Sequence, residues 1–259
     1  MSEIDTPESF QLMEFGVIFE ATNHFSESNK VGQGGFGPVY KGTLPDGNEI
    51  AVKRLKATSS QGMAEFRNEV TLILRVLHVN FVQLLGCCIH GYDRLLMAIE
   101  TSRRRRLFFT ITDQTRSPLL NWEHRFDIME GIAEGLCYLH NFTSPPILHR
   151  DLKPSNVLLG RDMIPKISDF GLAQMMETGT TEAAMETAVG TYGYMSEEYA
   201  KDNIISQKSD VFSYGVVLLE ILTGRRIHEY CLTNRGDSLL DFVSLIFLCI
   251  LKILKKIYI

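Results

Sequence analysis

Residues 147–159 read ILHRDLKPSNVLL, with His149, Arg150, Asp151, Lys153, Ser155 and Asn156 between the β-forming ends Ile147, Leu148, Val157, Leu158 and Leu159. A polar turn held between buried strands is a place where function concentrates. Three further stretches carry chemistry. In GQGGFGPV, Gly32, Gly34 and Gly37 have G-x-G-x-x-G spacing and Val39 follows. Such glycines let backbone N–H groups approach phosphate oxygens closely, although a plain glycine-rich hairpin has the same pattern. A dinucleotide fold would need a helix straight after them; the strand-like PVYKGTL follows instead. Lys53 in EIAVKRL stands between apolar strand neighbours and either points to solvent or meets Glu69 on the following helix, a pair that would aim the ammonium at phosphates. Asp169 in SDFG follows the strand-like IPKIS; a carboxylate there suits a Mg²⁺ that bridges phosphates, with an ordinary Asp-containing turn as the alternative.

These residues need a frame. NKVGQGGFGPVYKGTLPDGNEIAVKRL alternates apolar and polar residues, with Pro45-Asp46-Gly47 as a turn, and reads as antiparallel strands. A helix follows, with Ser59 or Ser60 as its cap and Met63, Phe66, Val70, Ile73, Leu74 and Leu77 at helical spacing. Strands are expected near 81–86 and 94–99. Beyond SPLLNW the pattern turns helical, with Phe126, Met129, Ile132, Leu136 and Leu139 on one stripe. SDVFSYGVVLLEILTGRR is apolar nearly all round, as in a helix buried inside a lobe. Strand-rich then helix-rich order predicts an α+β, two-lobed molecule with its cleft near residue 100.

The chain has 259 residues, 45% hydrophobic and 22% charged, which suits one large domain or two lobes. A net charge of −5 argues against a nucleic-acid binder. The five cysteines, Cys87, Cys88, Cys137, Cys231 and Cys249, lack C-x-x-C spacing, so reduced thiols in a cytoplasmic chain are expected. MSEIDTPESF has no apolar h-region and no Gly after Met, so neither a secretory leader nor myristoylation is expected. In FVSLIFLCILKILKKIYI, residues 242–259, the uninterrupted apolar run is about half the ~20 residues that a spanning helix needs, so a core or interfacial segment is favoured over an anchor.

The glycine loop, Ala51-Val52-Lys53, Glu69, HRDLKPSN and DFG together resemble the eukaryotic protein kinase signature set in its order. FEATNHFSESNKVGQGGFGPVYKG, FVQLLGCC, GTYGYMSEEYA and KSDVFSYGVVLLEILTGRR narrow the resemblance to plant receptor-like Ser/Thr kinases of the cysteine-rich and S-domain types. The resemblance implies a juxtamembrane-like segment at 1–24, an N-lobe at 25–98, a hinge at 99–107 and a partial C-lobe at 108–241, with the tail at 242–259. It implies ATP and Mg²⁺ as cofactors. Asp151 would take or orient the substrate hydroxyl proton, and Lys153 would offset charge on the transferring phosphoryl. Asn156 and Asp169 would hold Mg²⁺, and Lys53, braced by Glu69, the phosphates. Val31, Gly32, Gln33, Gly34, Gly35, Phe36 and Gly37 would cover the nucleotide. Val39, Ala51 and Leu158 would sandwich adenine, with Glu100 and Ser102 holding its edge by backbone. Lys153 and Thr191 match the Ser/Thr-specific pattern. Arg150 implies control by a phosphate on Thr178, Thr180, Thr181 or Thr187. Implied partners are protein substrates and partner receptor kinases, in the cytoplasm or at the cytoplasmic face of the plasma membrane.

The chain departs from that pattern in three places. The hinge reads IETSRRRRL, and Arg103 to Arg106 are either a solvated run or a nuclear-localisation patch. Glu197 stands where the family has Pro. Past SLLDF the family's last helices are replaced by the tail, so a shortened C-lobe is expected, with Glu198 lacking its partner. That departure keeps open a second class, a pseudokinase-like or decoy fragment that binds nucleotide or partner kinases without turnover.

Overall fold

Strand alternation early in the chain produces a hydrogen-bonded meander, seen in a computed structural model that describes residues 10–34, 37–56, 60–99, 109–110, 120–160, 162–224 and 226. Strands β2 (Lys30–Gly34), β3 (Gly37–Thr43), β4 (Glu49–Lys56), β5 (Leu84–His90) and β6 (Asp93–Ile99) pair antiparallel in the order β5-β6-β4-β3-β2. A short strand, β1 (Gln11–Leu12), adds to β5 in parallel. The turn between β3 and β4 closes as Pro45-Asp46-Gly47 predicts, with Gly47 N donating to Leu44 O at 2.8 Å and Asn48 N to Asp46 Oδ1 at 2.9 Å.

The period of two splits this sheet into two chemical faces. Ile50, Val52, Leu95 and Met97 point to one side, where helix α1 (Phe15–Ala21) covers them with Ile18. Each is completely buried, and such a side chain contributes about 1.5–3 kcal/mol. Ala51, Lys53 and Leu55 point to the other side, beneath helix α2 (Ser60–Ile73). The α2 stripe stops earlier than its spacing suggests: Leu74 is buried beyond the helix and Leu77 is 68% exposed.

The second lobe is built on helices α3 (Trp122–Asn141) and α5 (Gln207–Thr223). Asn121 caps α3 by accepting His124 N at 2.8 Å, and a Ser206/Ser209 capping box starts α5. The chain closes α5 at Gly224, whose left-handed φ of 67° favours glycine. Tyr214 Oη donates to Met129 O at 2.9 Å, joining α5 to α3. Between them run strands β7 (Phe109–Thr110), β8 (Ile147–Leu148), β9 (Val157–Leu159), β10 (Pro165–Ile167) and β11 (Gln174–Met175), pairing as β10-β9-β7 and β11-β8. Strands β12 (Glu182–Ala184) and β13 (Ile204–Ser206) pair near the short helix α4 (Glu197–Asp202).

Two helix faces differ from the periodicity reading. Phe126 is 55% exposed, and the buried stripe of α3 runs instead through Ile128, Met129, Ile132, Leu136 and Leu139. On α5, Val211 is exposed while Ser209, Asp210, Ser213 and Glu220 are buried, because polar loops rather than apolar layers pack on that face. The expected strand near 81–86 starts later, at Leu84; Phe81 makes only an isolated bridge to Ile167. Cys87 and Cys88 are buried free thiols and Cys137 is an exposed one. Gly35, Phe36, Glu100, Ser102, Arg103 to Arg106, the two other cysteines and the tail at 242–259 lie outside the described residues, as does the expectation of a shortened lobe.

Candidate active site

Strands β8 and β9 hold the ends of the polar turn, as the apolar flanks of ILHRDLKPSNVLL suggest, and a 3₁₀ turn at Pro154–Asn156 shapes its middle. The turn is pinned from beneath by Asp210 of α5. Its Oδ2 accepts His149 N at 2.7 Å and lies 3.0 Å from His140 Nε2, and its Oδ1 accepts Arg150 N at 2.8 Å. Arg150 adopts φ 65°, a left-handed conformation that is costly for a residue other than glycine and is sustained here by those bonds. Its guanidinium faces inward, donating to Tyr199 Oη at 2.5 Å and Leu172 O at 3.1 Å. Thr178, Thr180, Thr181 and Thr187 are exposed.

Above that anchor Asp151 is nearly buried and surrounded by donors. Lys153 Nζ donates to Oδ2 at 2.7 Å, Asn156 Nδ2 to Oδ2 at 3.2 Å and to the backbone O at 2.9 Å. Thr191 Oγ1 donates to Oδ1 at 2.6 Å and accepts from Lys153 Nζ at 2.7 Å. The carboxylate is thus held on one side and presents its other oxygen to a hydroxyl, the arrangement that a proton acceptor for an alcohol requires.

The second cluster joins the lobes. Lys53 Nζ donates to Glu69 Oε2 at 2.9 Å, Glu69 Oε1 at 3.2 Å and Asp169 Oδ1 at 2.8 Å. Asp169 has φ 74°, so the segment turns sharply there and Phe170 drops into the core beside Phe81 and His149. Asn68 Nδ2 ties α2 to the carbonyls of Phe170, Gly171 and Ala173 at 3.1, 3.1 and 2.7 Å.

Burial disfavours the Lys53 ammonium, but the Glu69 and Asp169 carboxylates outweigh it and hold its pKa above the ordinary lysine value. One ammonium serves two carboxylates, and burial pushes Glu69 up to about 7 against the pull of Lys53. The folded state therefore holds the Glu69 proton more tightly than the unfolded chain does, and this stabilisation is lost as pH rises through about 7. Lys53 adds no slope in that window. The stability of the chain minus that of Glu69→Gln is expected to shrink as pH rises from about 4.5 to about 7, then to level off. Urea unfolding across the range measures it; a flat difference would show that Glu69 ionises at its ordinary value.

The residues present fit a nucleotide with Mg²⁺. Asn156 Oδ1 and Asp169 Oδ2 accept no hydrogen bond from a described residue, leaving two hard oxygen donors for a cation that completes its shell with phosphate and water. Among the described residues no three His, Cys, Asp or Glu side chains group as a metal site. Val39, Ala51 and Leu158 are half-buried while their strand neighbours Tyr40, Val52, Val157 and Leu159 are buried. Gly32 and Gly34 lie in β2 and pair with Val39 and Gly37 of β3; Val31 and Gln33 are exposed beside them. Asp210, Asn68, His140 and Tyr199 escaped the sequence reading; for Asp210 the available signal was its place between Ser209 and Ser213 in an otherwise apolar helix.

A two-lobed α+β fold with a lysine–carboxylate cluster above a pinned polar turn is the fold class of the protein kinase domain. The protein kinase domain family matches residues 25–241, and the chain belongs to it. Receptor-like serine/threonine-protein kinase SD1-7 of Arabidopsis thaliana is 55% identical over 232 residues, covering 90% of this chain and 27% of the relative. A putative serine/threonine-protein kinase receptor of Brassica oleracea var. viridis is 53% identical with the same coverage. A G-type lectin S-receptor-like serine/threonine-protein kinase of Arabidopsis thaliana is 49% identical over 91% of this chain and 29% of its own length. The chain spans about a quarter of the length of the curated relatives it matches.

Proposed function

We propose that the chain is a protein serine/threonine kinase of the receptor-like type, using ATP and Mg²⁺ and acting on protein substrates at the cytoplasmic side of a membrane. One observation carries this reading: Lys53 and Glu69 of the first lobe meet Asp169 of the second through a shared ammonium, which supports a role for Lys53 as a phosphate anchor. Bound Mg²⁺·ATP supplies the phosphoryl group and the cation that neutralises its charge. Lys53 orients the phosphates, with Glu69 fixing the ammonium. Asp151 Oδ1, already accepting the Thr191 hydroxyl, accepts a substrate hydroxyl in the same geometry and takes its proton. Lys153, beside Oδ2, offsets charge on the moving phosphoryl, and the work is positioning and electrostatics rather than covalent chemistry. Among the described residues no helix is long and apolar enough to cross a membrane. The membrane-proximal location is supported by the names of the relatives, and partner receptor kinases are a further class of protein partner.

The second reading, a binding fragment without turnover, draws on Glu198, which is exposed and makes no ion pair with a described residue. Its neighbour Glu197, standing where the family has Pro, pairs with Lys201 instead. Incubation of the purified chain with γ-labelled ATP, Mg²⁺ and a generic acceptor is expected to label serine and threonine, and chelation of Mg²⁺ to stop it. Equal labelling by the chain and by Asp151→Asn would sink the kinase reading. Thermal stabilisation by ATP without transfer would support the binding fragment.

A further inference from the structure

Helix α2 carries Glu69, so its position against the sheet sets whether Lys53 is braced. From one side Asn68 ties it to the segment after Asp169. From the other side it meets a residue of the N-terminal segment. Phe10 is half-buried and packs against the cluster of Leu55, Phe66, Cys87 and Leu96. It also packs against the larger core that holds Ile73, Phe81 and Phe170. Among the described residues only Val70 and Leu84 share both contacts. Phe66 and Val70 flank Glu69 on α2 and share with Phe10 the apolar cluster that joins the helix to Leu55 and Leu96 of the sheet.

The backbone that delivers Phe10 is itself held by an unusual fit. Gln11 and Leu12 pair in parallel with Gly86 and Cys87, and Met13 N donates to Cys87 O at 2.9 Å. A Cβ built on Gly86 would lie 2.1 Å from Gln11 O and 3.1 Å from Gln11 C, and its nearest neighbours are all atoms of Gln11. The missing side chain at 86 is therefore what admits the added strand, and restoring one strikes that strand before anything else.

We propose that residues 10–13 form a clasp that positions α2: β1 docks on β5 over Gly86, Phe10 packs into the apolar cluster that holds Phe66 of α2, and Glu69 is thereby kept on Lys53. Phe10 is a positioning residue that acts through α2 and touches no substrate. The effect on phosphoryl transfer rests on the kinase reading above; the effect on α2 does not.

The test uses the full chain with Gly86→Ala, Phe10→Asp and Phe10→Leu. Amide hydrogen exchange in residues 60–73 is expected to rise for Gly86→Ala and Phe10→Asp and to stay near that of the parent for Phe10→Leu, with exchange in residues 122–141 unchanged in all. Transfer is expected to fall about tenfold for the first two variants and to be kept by Phe10→Leu. In a Glu69→Gln background, Gly86→Ala is expected to cause no further loss, because the step it works through is already gone. Unchanged exchange in α2 for both Gly86→Ala and Phe10→Asp would overturn the clasp. So would a full additive loss in the Glu69→Gln background. If Gly86→Ala loosens the whole chain, Phe10→Asp decides on the same readouts. A parent chain that transfers no phosphate, with α2 exchange still raised by the variants, would sink the kinase reading and support the clasp.

Discussion

Asp210→Ala is expected to lower the stability of the chain by about 3–5 kcal/mol and to abolish transfer with it. The carboxylate is 1% exposed and accepts from His149 N, Arg150 N and His140 Nε2. Truncation leaves these donors buried without an acceptor, each costing about 1–3 kcal/mol where water cannot reach. It also removes what holds Arg150 at φ 65°, a conformation that costs on the order of 1–3 kcal/mol by itself. Asp210→Asn keeps one acceptor oxygen and places an amide N–H₂ against a donor, so a smaller but clear loss is expected. Urea or thermal unfolding measures both. A loss under about 1 kcal/mol for Asp210→Ala would mean that the turn does not depend on α5 for its shape.

Asp151→Asn is expected to lower the transfer rate about 10²–10⁴-fold while ATP binding stays within about twofold. The amide can still accept a hydrogen bond but cannot take a proton, and its N–H₂ competes with Lys153 and Asn156 for the same space. Lys53, Glu69 and Asp169 form a separate cluster and make no hydrogen bond to Asp151, so these three nucleotide anchors are left as they were, and only Asn156, which donates to Asp151, is touched by the change. Single-turnover transfer and calorimetric ATP titration separate the two effects. A comparable loss of binding would place Asp151 among the nucleotide anchors instead.

Much of the site was legible because its signals are local. The spacing of Gly32, Gly34 and Gly37, the lysine in a strand, and polar residues fenced by β-formers each follow from backbone chemistry within a few residues. The antiparallel meander, the Pro45-Asp46-Gly47 turn and the polar turn between β8 and β9 formed where that chemistry put them. Helical periodicity was less decisive. It placed Phe126 in a buried stripe and α5 in an apolar surround, because period alone does not say what packs against a face.

Sequence by itself determined the fold class, the family and the residue types offered to phosphate and hydroxyl, since these depend on order and local pattern. Tertiary structure decided what holds them. Asp210 reads as one polar residue in an apolar helix until the turn above it supplies two backbone N–H groups and a histidine. Gly86 reads as one more glycine until the Gln11 carbonyl occupies the space where its Cβ would stand. Both roles come from groups distant in the chain and adjacent only after folding, where a buried donor must find an acceptor and two backbones cannot share one volume.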